Sequence, residues 1–189
     1  MYQTLPLRLT GVAPLLMHRG GLADPLDDFA RALKAVAKRR NKTDQDIEEA
    51  ARIEFLGGIY VDDDGAPCLT GEMIEACLMA GARRTKQGKS AAAGLLAPGN
   101  YRLIYEGPRS AEALWADPAF RHRTPARIGQ SRVIRTRPIF RQWACEVGVE
   151  FNADLIDRHD VLRWAQVAGL EIGIGDWRPR HGRFAVEAI

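Results

Sequence analysis

The sequence is poor in the features that would staple, anchor or activate it. Its three cysteines, Cys68, Cys77 and Cys145, form no C-x-x-C pair and support neither a disulfide framework nor a zinc site. All three sit among apolar neighbours and read as buried thiols. No apolar run approaches the ~20 residues of a membrane helix. The stretch 12–17 is short, contains Pro14 and has only Arg8 as a basic flank, which makes it a poor secretory leader. A cytoplasmic protein with no membrane partner is expected. No P-loop, G-x-S-x-G or H-E-x-x-H is present, and His122, His159 and His181 lack ligand spacing. No metal or cofactor is expected. Internal repeats are also absent.

What is present is an ordinary globular composition, with 46% apolar and 27% charged residues. A chain of 189 residues can bury roughly 70% of its unfolded surface, so one domain spanning 1–189 is expected without staples.

The net charge of +3 hides a strong asymmetry. Residues 1–75 carry 9 basic and 13 acidic side chains, residues 76–145 carry 13 and 3, and residues 146–189 carry 5 and 8. The net charges are therefore −4, +10 and −3. Within the middle third, residues 76–105 hold Arg83, Arg84, Lys86, Lys89 and Arg102 and no acid ahead of Glu106. Residues 118–145 hold Arg121, Arg123, Arg127, Arg132, Arg135, Arg137 and Arg141, with no acid and no lysine. Arginine alone suits bidentate phosphate contacts and stacking on bases. The same window is also compatible with a soluble face, or with arginines that pair with the acidic thirds of the molecule.

Periodicity predicts a half-buried strand over 5–12, then a loop. Asp24 is a plausible N-cap and Pro25 a first helical residue for a helix carrying Leu26, Phe29, Leu33 and Val36. A second helix is predicted over 44–56, so 25–56 reads as a helical insertion. Residues 58–61 read as a short strand. Asp62-Asp63-Asp64-Gly65 fits a tight turn better than a metal site. Thr70 caps a helix to about residue 84, and 85–100 reads as a mobile basic loop. A strand over 101–105 and a short helix over 110–115 follow. The alternation over 131–137 predicts one strand, that over 143–151 a second. Asp157 caps a helix to about 169, and a last strand covers 184–188. The mixture predicts an α+β fold, with an antiparallel sheet covered by helices on one face. A ferredoxin-like core with inserted helical and loop segments fits the order of elements.

The least ordinary segment is 173–184, with three glycines alongside Trp177, Arg178, Arg180 and Arg183. It follows a helix and precedes a strand, the reverse of a dinucleotide fingerprint. Its amides and arginines could line an anion, and Trp177 could stack on a base. A structural turn with Trp177 in the core fits equally.

Three places carry a family resemblance. The first strand runs into Ala13-Pro14-Leu15-Leu16. Pro67-Cys68-Leu69-Thr70-Gly71-Glu72-Met73-Ile74 leads to Ala82-Arg83. A glycine-rich loop ends in Gly182-Arg183-Phe184. In these the chain resembles the RAMP superfamily, which includes backbone subunits and processing ribonucleases of CRISPR systems, and it is similar to phage-encoded relatives. The resemblance implies an RNA-recognition-like core, a basic groove for single-stranded nucleic acid and head-to-tail assembly.

The function expected on this reading is non-catalytic binding of single-stranded RNA, or less favourably DNA, by a homo-oligomer or filament. The candidate residues are Arg83, Arg84, Lys86, Lys89, Arg121, Arg123, Arg127, Arg132, Arg135, Arg137, Trp177, Arg178, Arg180 and Arg183. Two alternatives remain open. One is a metal-independent endoribonuclease in which His18, with Asp24, serves a 2′-hydroxyl; a loop histidine beside a helix cap reads the same two residues. The other is an interaction module whose basic face docks an acidic protein.

Overall fold

The computed structural model describes residues 1–189 apart from the side chains of Ile128 and Ser131. In chain order the strands and helices are β1 (Tyr2–Gly11), β2 (Leu15–Leu16), α1 (Asp28–Ala37), α2 (Asp44–Gly58), β3 (Cys68–Thr70), α3 (Gly71–Arg84), α4 (Gly88–Gly94), β4 (Leu95–Leu96) and β5 (Asn100–Ile104). They continue with α5 (Ala111–Ala116), β6 (Arg121–Ile128), β7 (Ser131–Phe140), β8 (Ala144–Asn152), α6 (Arg158–Val167) and β9 (Phe184–Ala188). The fold is α+β with antiparallel sheets. The chain divides into two compact units: Met1–Leu15, Val61–Glu106 and Phe140–Ile189 form the first, Leu16–Tyr60 and Gly107–Ile139 the second.

The first unit is built on a sheet of order β3-β5-β8-β1-β9, with β4 also paired to β8. β1 runs antiparallel to β8 from Tyr2↔Asn152 to Thr10↔Ala144, and to β9 from Leu7↔Ala188 to Gly11↔Phe184. Strand alternation turns Leu5, Leu7 and Leu9 of β1 and Val147, Val149 and Phe151 of β8 to one face. There they are buried with Ile74 and Leu78 of α3 and with Val161, Trp164 and Ala165 of α6. The two helices pack closely because of Gly81: a Cβ there would stand 2.2 Å from the Trp164 carbonyl oxygen. The other sheet face is polar. Thr4, Pro6, Arg8 and Thr10 lie opposite Glu150, Gly148, Glu146 and Ala144, and Arg8 bridges Glu146 at 2.6 Å.

Several boundaries differ from the sequence reading, each for a local reason. Helix α1 starts after Asp27, not Asp24, because Asp27 Oδ1 accepts from the amides of Phe29 and Ala30. Arg19 holds its other oxygen at 2.6 Å and keeps the carboxyl below the ordinary range. Asp24 instead accepts from the Leu26 amide, forming a turn around Pro25. The predicted strand at 58–61 reduces to one bridge, Val61↔Pro67. It closes the Asp62–Gly65 turn, whose acids Asp62 and Asp64 are both held by Arg102. The predicted basic loop at 85–100 carries helix α4 and strand β4 instead. Its small residues permit this: Ala91 is buried, and Gly94 sits against Asn152 and Ile156. Thr70 and Asp157 cap α3 and α6 as expected, and Ser110, read as the start of a short helix, is the N-cap of α5.

Burial raises the thiols, Cys68 to about 11 and Cys77 and Cys145 to about 12. All three therefore stay protonated at neutral pH, and the thiolate is the reactive form. At about pH 8 the native protein should resist a thiol reagent, and all three should react in denaturant. Rapid modification of the native chain would contradict this burial.

In the second unit α1 and α2 pack together, and β2, β7 and β6 form a three-stranded sheet. Phe55, fully buried, meets Trp115 edge-to-face at 5.4 Å. A capping box opens α2: Thr43 Oγ1 accepts from the Asp46 amide, and Asp46 accepts from the Thr43 amide at 2.8 Å. That bond, with Arg39, lowers Asp46 to about 2. A carboxyl depressed from 3.8 stabilises above that value and loses its contribution as pH falls towards 2. The melting temperature should therefore fall between about pH 4 and pH 2, and more steeply in the wild type than in Asp46→Asn. Equal slopes would show that the box contributes nothing.

Candidate nucleic-acid interface

The basic residues singled out in the sequence fall into two groups, one in each unit. In the second unit they lie on the β6–β7 hairpin. Its register sets Arg121 against Pro138, Arg123 against Thr136 and Arg127 against Arg132. Directly opposed residues of an antiparallel pair share a face. Arg121, Arg123, Arg127 and Arg132 therefore lie on one face, as a stripe about 20 Å long at ~3.4 Å per residue. Arg135 and Arg137 lie on the other face, opposite Thr124 and His122.

These six arginines are not equivalent. Arg135 donates to Glu54 Oε1 at 2.7 Å, and the same carboxylate accepts from the Thr136 amide at 2.8 Å. Glu54 is 6% exposed, so Arg135 serves as its counter-ion. Arg121 stands 3.7 Å from Glu48 and lies over the Trp115 ring at 4.8 Å. Arg123, Arg127 and Arg132 are exposed and make no ion pair among the described residues. Arg127 Nε donates to the Gly129 carbonyl at 3.0 Å, which steadies the hairpin tip. Two prolines fit the hairpin without loss. Thr136 sends its amide outward to Glu54, so its pair with Arg123 is of the non-hydrogen-bonded kind, and by alternation so is Pro125↔Ile134.

In the first unit the basic residues lie around the turn between α3 and α4 and in the glycine segment before β9. The turn after α3 closes through the Gln87 amide on the Ala82 carbonyl at 2.8 Å. Gln87 is pinned in turn: its Nε2 donates to Asp160, and its Oε1 accepts from Trp164 Nε1, both at 2.9 Å. Arg83, Lys86 and Lys89 are exposed around this turn without an ion pair among the described residues, whereas Arg84 meets Glu171 at 3.5 Å.

The glycine segment between α6 and β9 is tied down at both ends. Gly182 donates to the Pro14 carbonyl at 2.8 Å, and Ile174 donates to the Gly182 carbonyl at 2.8 Å. Cys77 Sγ approaches the Gly173 carbonyl at 3.3 Å. Gly182 has φ +74, and a Cβ there would stand 1.7 Å from the Ile174 oxygen. Trp177 lies outside the core at 45% exposure. Its ring stacks on His181 at 5.5 Å, with the Arg180 guanidinium 5.6 Å from its centroid. Arg178 and Arg183 are exposed beside it.

The remaining candidates, His18 and Asp24, lie in the second unit. Arg19, next to His18, is fastened to the Gly58 carbonyl by its amide at 2.9 Å. Asp24 is occupied by the Leu26 amide at 2.9 Å. The sequence reading missed Glu54. Its signal was a carboxylate one position before Phe55 in the apolar stripe of α2, where a charge needs a partner.

Among the described residues no helix is long and apolar enough to cross a membrane. No family model matches this sequence, and no curated protein matches it.

Proposed function

We propose that this chain binds single-stranded nucleic acid, RNA ahead of DNA, and does so non-catalytically with several copies along one strand. The observation that carries the reading is the uneven pairing of its arginines. Arg8, Arg19, Arg39, Arg52 and Arg102 each hold a carboxylate. Arg123, Arg127, Arg132, Arg178 and Arg183 are exposed with none among the described residues. Unpaired guanidinium groups clustered on a hairpin and on a glycine loop suit phosphate oxygens.

The strand order supports a ferredoxin-like core, the kind that the resemblance to the RAMP superfamily implies. Taking β1, α3, β5, β8, α6 and β9 as a βαββαβ unit, the strands lie in the order second, third, first, fourth, all antiparallel. The exposed sheet face is not the platform in this reading. An RNA-recognition sheet stacks bases on central aromatics, whereas here Arg8 is spent on Glu146 and Thr4, Pro6 and Thr10 flank it. Contacts would come from the hairpin and from the loop of Trp177, Arg178, Arg180 and Arg183, with Arg83, Lys86 and Lys89 as a further rail.

The test is purification without nuclease. The protein should carry a high 260/280 absorbance ratio, and the recovered strand should be RNA. Trp177→Ala should then weaken binding of a labelled single-stranded RNA by about 1–3 kcal/mol if one base stacks there. Nucleic-acid-free protein with no affinity for added strands would overturn the proposal.

A further inference from the structure

Strand β7 is partnered on both sides only near its end. On the side away from β6 it meets β2, which is two residues long, and the Met17 amide donates to the Pro138 carbonyl at 3.0 Å. Towards the hairpin tip that side has one further partner among the described residues, Glu54 on the Thr136 amide. The next outward-facing amide and carbonyl belong to Ile134, two residues on. Its partner across the hairpin is Pro125, which has no amide to offer, so Ile134 faces the open side. No bulge blunts this edge between Arg132 and Pro138, where the register is continuous.

Beside the edge lies a groove of about 550 Å³, within the range of roughly 300–1,000 Å³ that holds ligands. Val36 of α1, Ile47 and Ala50 of α2 and Ile134 of β7 give it an apolar lining. Ile47 and Ile134 are 43% and 53% exposed. Its charges are asymmetric. Asp46 and Glu54 are already held by Arg39 and Arg135. Lys42 and Arg123 also line it and make no ion pair among the described residues. An occupant therefore meets apolar walls, an unpaired strand edge and two cations with no carboxylate. A nucleic acid would leave the ladder groups and the apolar wall unused. A second copy joining by its own β7 edge would bring a strand that carries Arg132, Arg135 and Arg137 and no carboxylate to meet Lys42 and Arg123.

We propose that the open edge of β7 and this groove form a docking site for an extended segment of a partner protein in which apolar residues alternate with carboxylates. The segment adds a strand to the hairpin sheet by pairing with the Ile134 amide and carbonyl. Its apolar side chains fill the groove over Ala50 and its carboxylates meet Lys42 and Arg123. This is strand addition: main-chain bonds supply affinity and alternate side chains supply selectivity. The proposal does not rest on nucleic-acid binding, although Arg123 belongs to both surfaces.

The full chain is titrated against a fluorescein-labelled peptide of alternating valine and glutamate, read by anisotropy, with amide hydrogen exchange as the second readout. Binding in the micromolar range is expected, with slowed exchange at Ile134. Valine–lysine peptide should not bind, and Lys42→Glu and Ala50→Trp should each weaken the valine–glutamate peptide at least tenfold. Ala37→Trp, on an exposed position of α1 that also lines the groove, replaces Ala50→Trp if that variant does not fold. The proposal is overturned if the valine–glutamate peptide does not bind, or binds as well with the groove filled. It is equally overturned by binding without protection of Ile134, or by a single-stranded oligonucleotide that displaces the peptide and is itself weakened by the filled groove.

Discussion

Alanine at Arg123, Arg127 and Arg132 together is expected to weaken single-stranded RNA binding about 100-fold near 0.1 M salt. Each phosphate contact on a single strand contributes about 0.7 to the slope of log affinity against log salt. Three contacts therefore account for about 2 decades at that ionic strength, and the slope should flatten by about 2. Stability should change little, because the three side chains are exposed and hold no carboxylate, and the one bond lost, Arg127 to the Gly129 carbonyl, is at the exposed hairpin tip. Arg135→Ala is the contrast. It should lower stability, since it leaves the buried Glu54 without its counter-ion. Similar losses of affinity from the triple variant and from Arg135→Ala alone would remove the distinction drawn between exposed and committed arginines.

Gly182→Ala is expected to cost at least about 3 kcal/mol, near the upper end for single substitutions. Two penalties combine. The residue sits at φ +74, where a Cβ is disfavoured, and that Cβ would press against the Ile174 oxygen at 1.7 Å. Neither neighbour can yield easily, because Gly182 also donates to Pro14 and accepts from Ile174. For a chain of this length the melting temperature should fall by roughly 6–12 °C. Gly129→Ala at the hairpin tip has a similar φ, +57, but nothing within 4 Å of the added atom. It should cost only about 1–2 kcal/mol. A Gly182→Ala protein that melts with the Gly129→Ala protein would mean that close packing around residue 182 is not what holds the loop.

Much of this architecture was legible in the sequence where the signal is local. Thr70 and Asp157 announce helices because a short polar side chain can satisfy the first free amides. The alternation of Cys145, Val147, Val149 and Phe151 announces β8 because one face of the sheet is buried. The departures occur where distant residues decide. Asp24 and Asp27 are equally good caps on paper. Arg19 selects Asp27, and Arg19 is itself positioned by bonds to Gly57 and Gly58. Helix α4 has the composition of a loop and forms against Asn152 and Ile156, which are remote in the chain. Within the candidate interface, the sequence told that arginines were concentrated but not which were free. That depends on Glu54 and Glu48 reaching the hairpin from α2. It likewise left Trp177 undecided between core and surface, and the loop that exposes it is set by its tie to Pro14.

The salt dependence of RNA binding by the wild-type protein is the most direct measure of whether these free cations track a phosphate backbone. With about six phosphates neutralised, log affinity plotted against log salt should fall with a slope near −4. A slope near zero, or no measurable binding at low salt, would contradict the account.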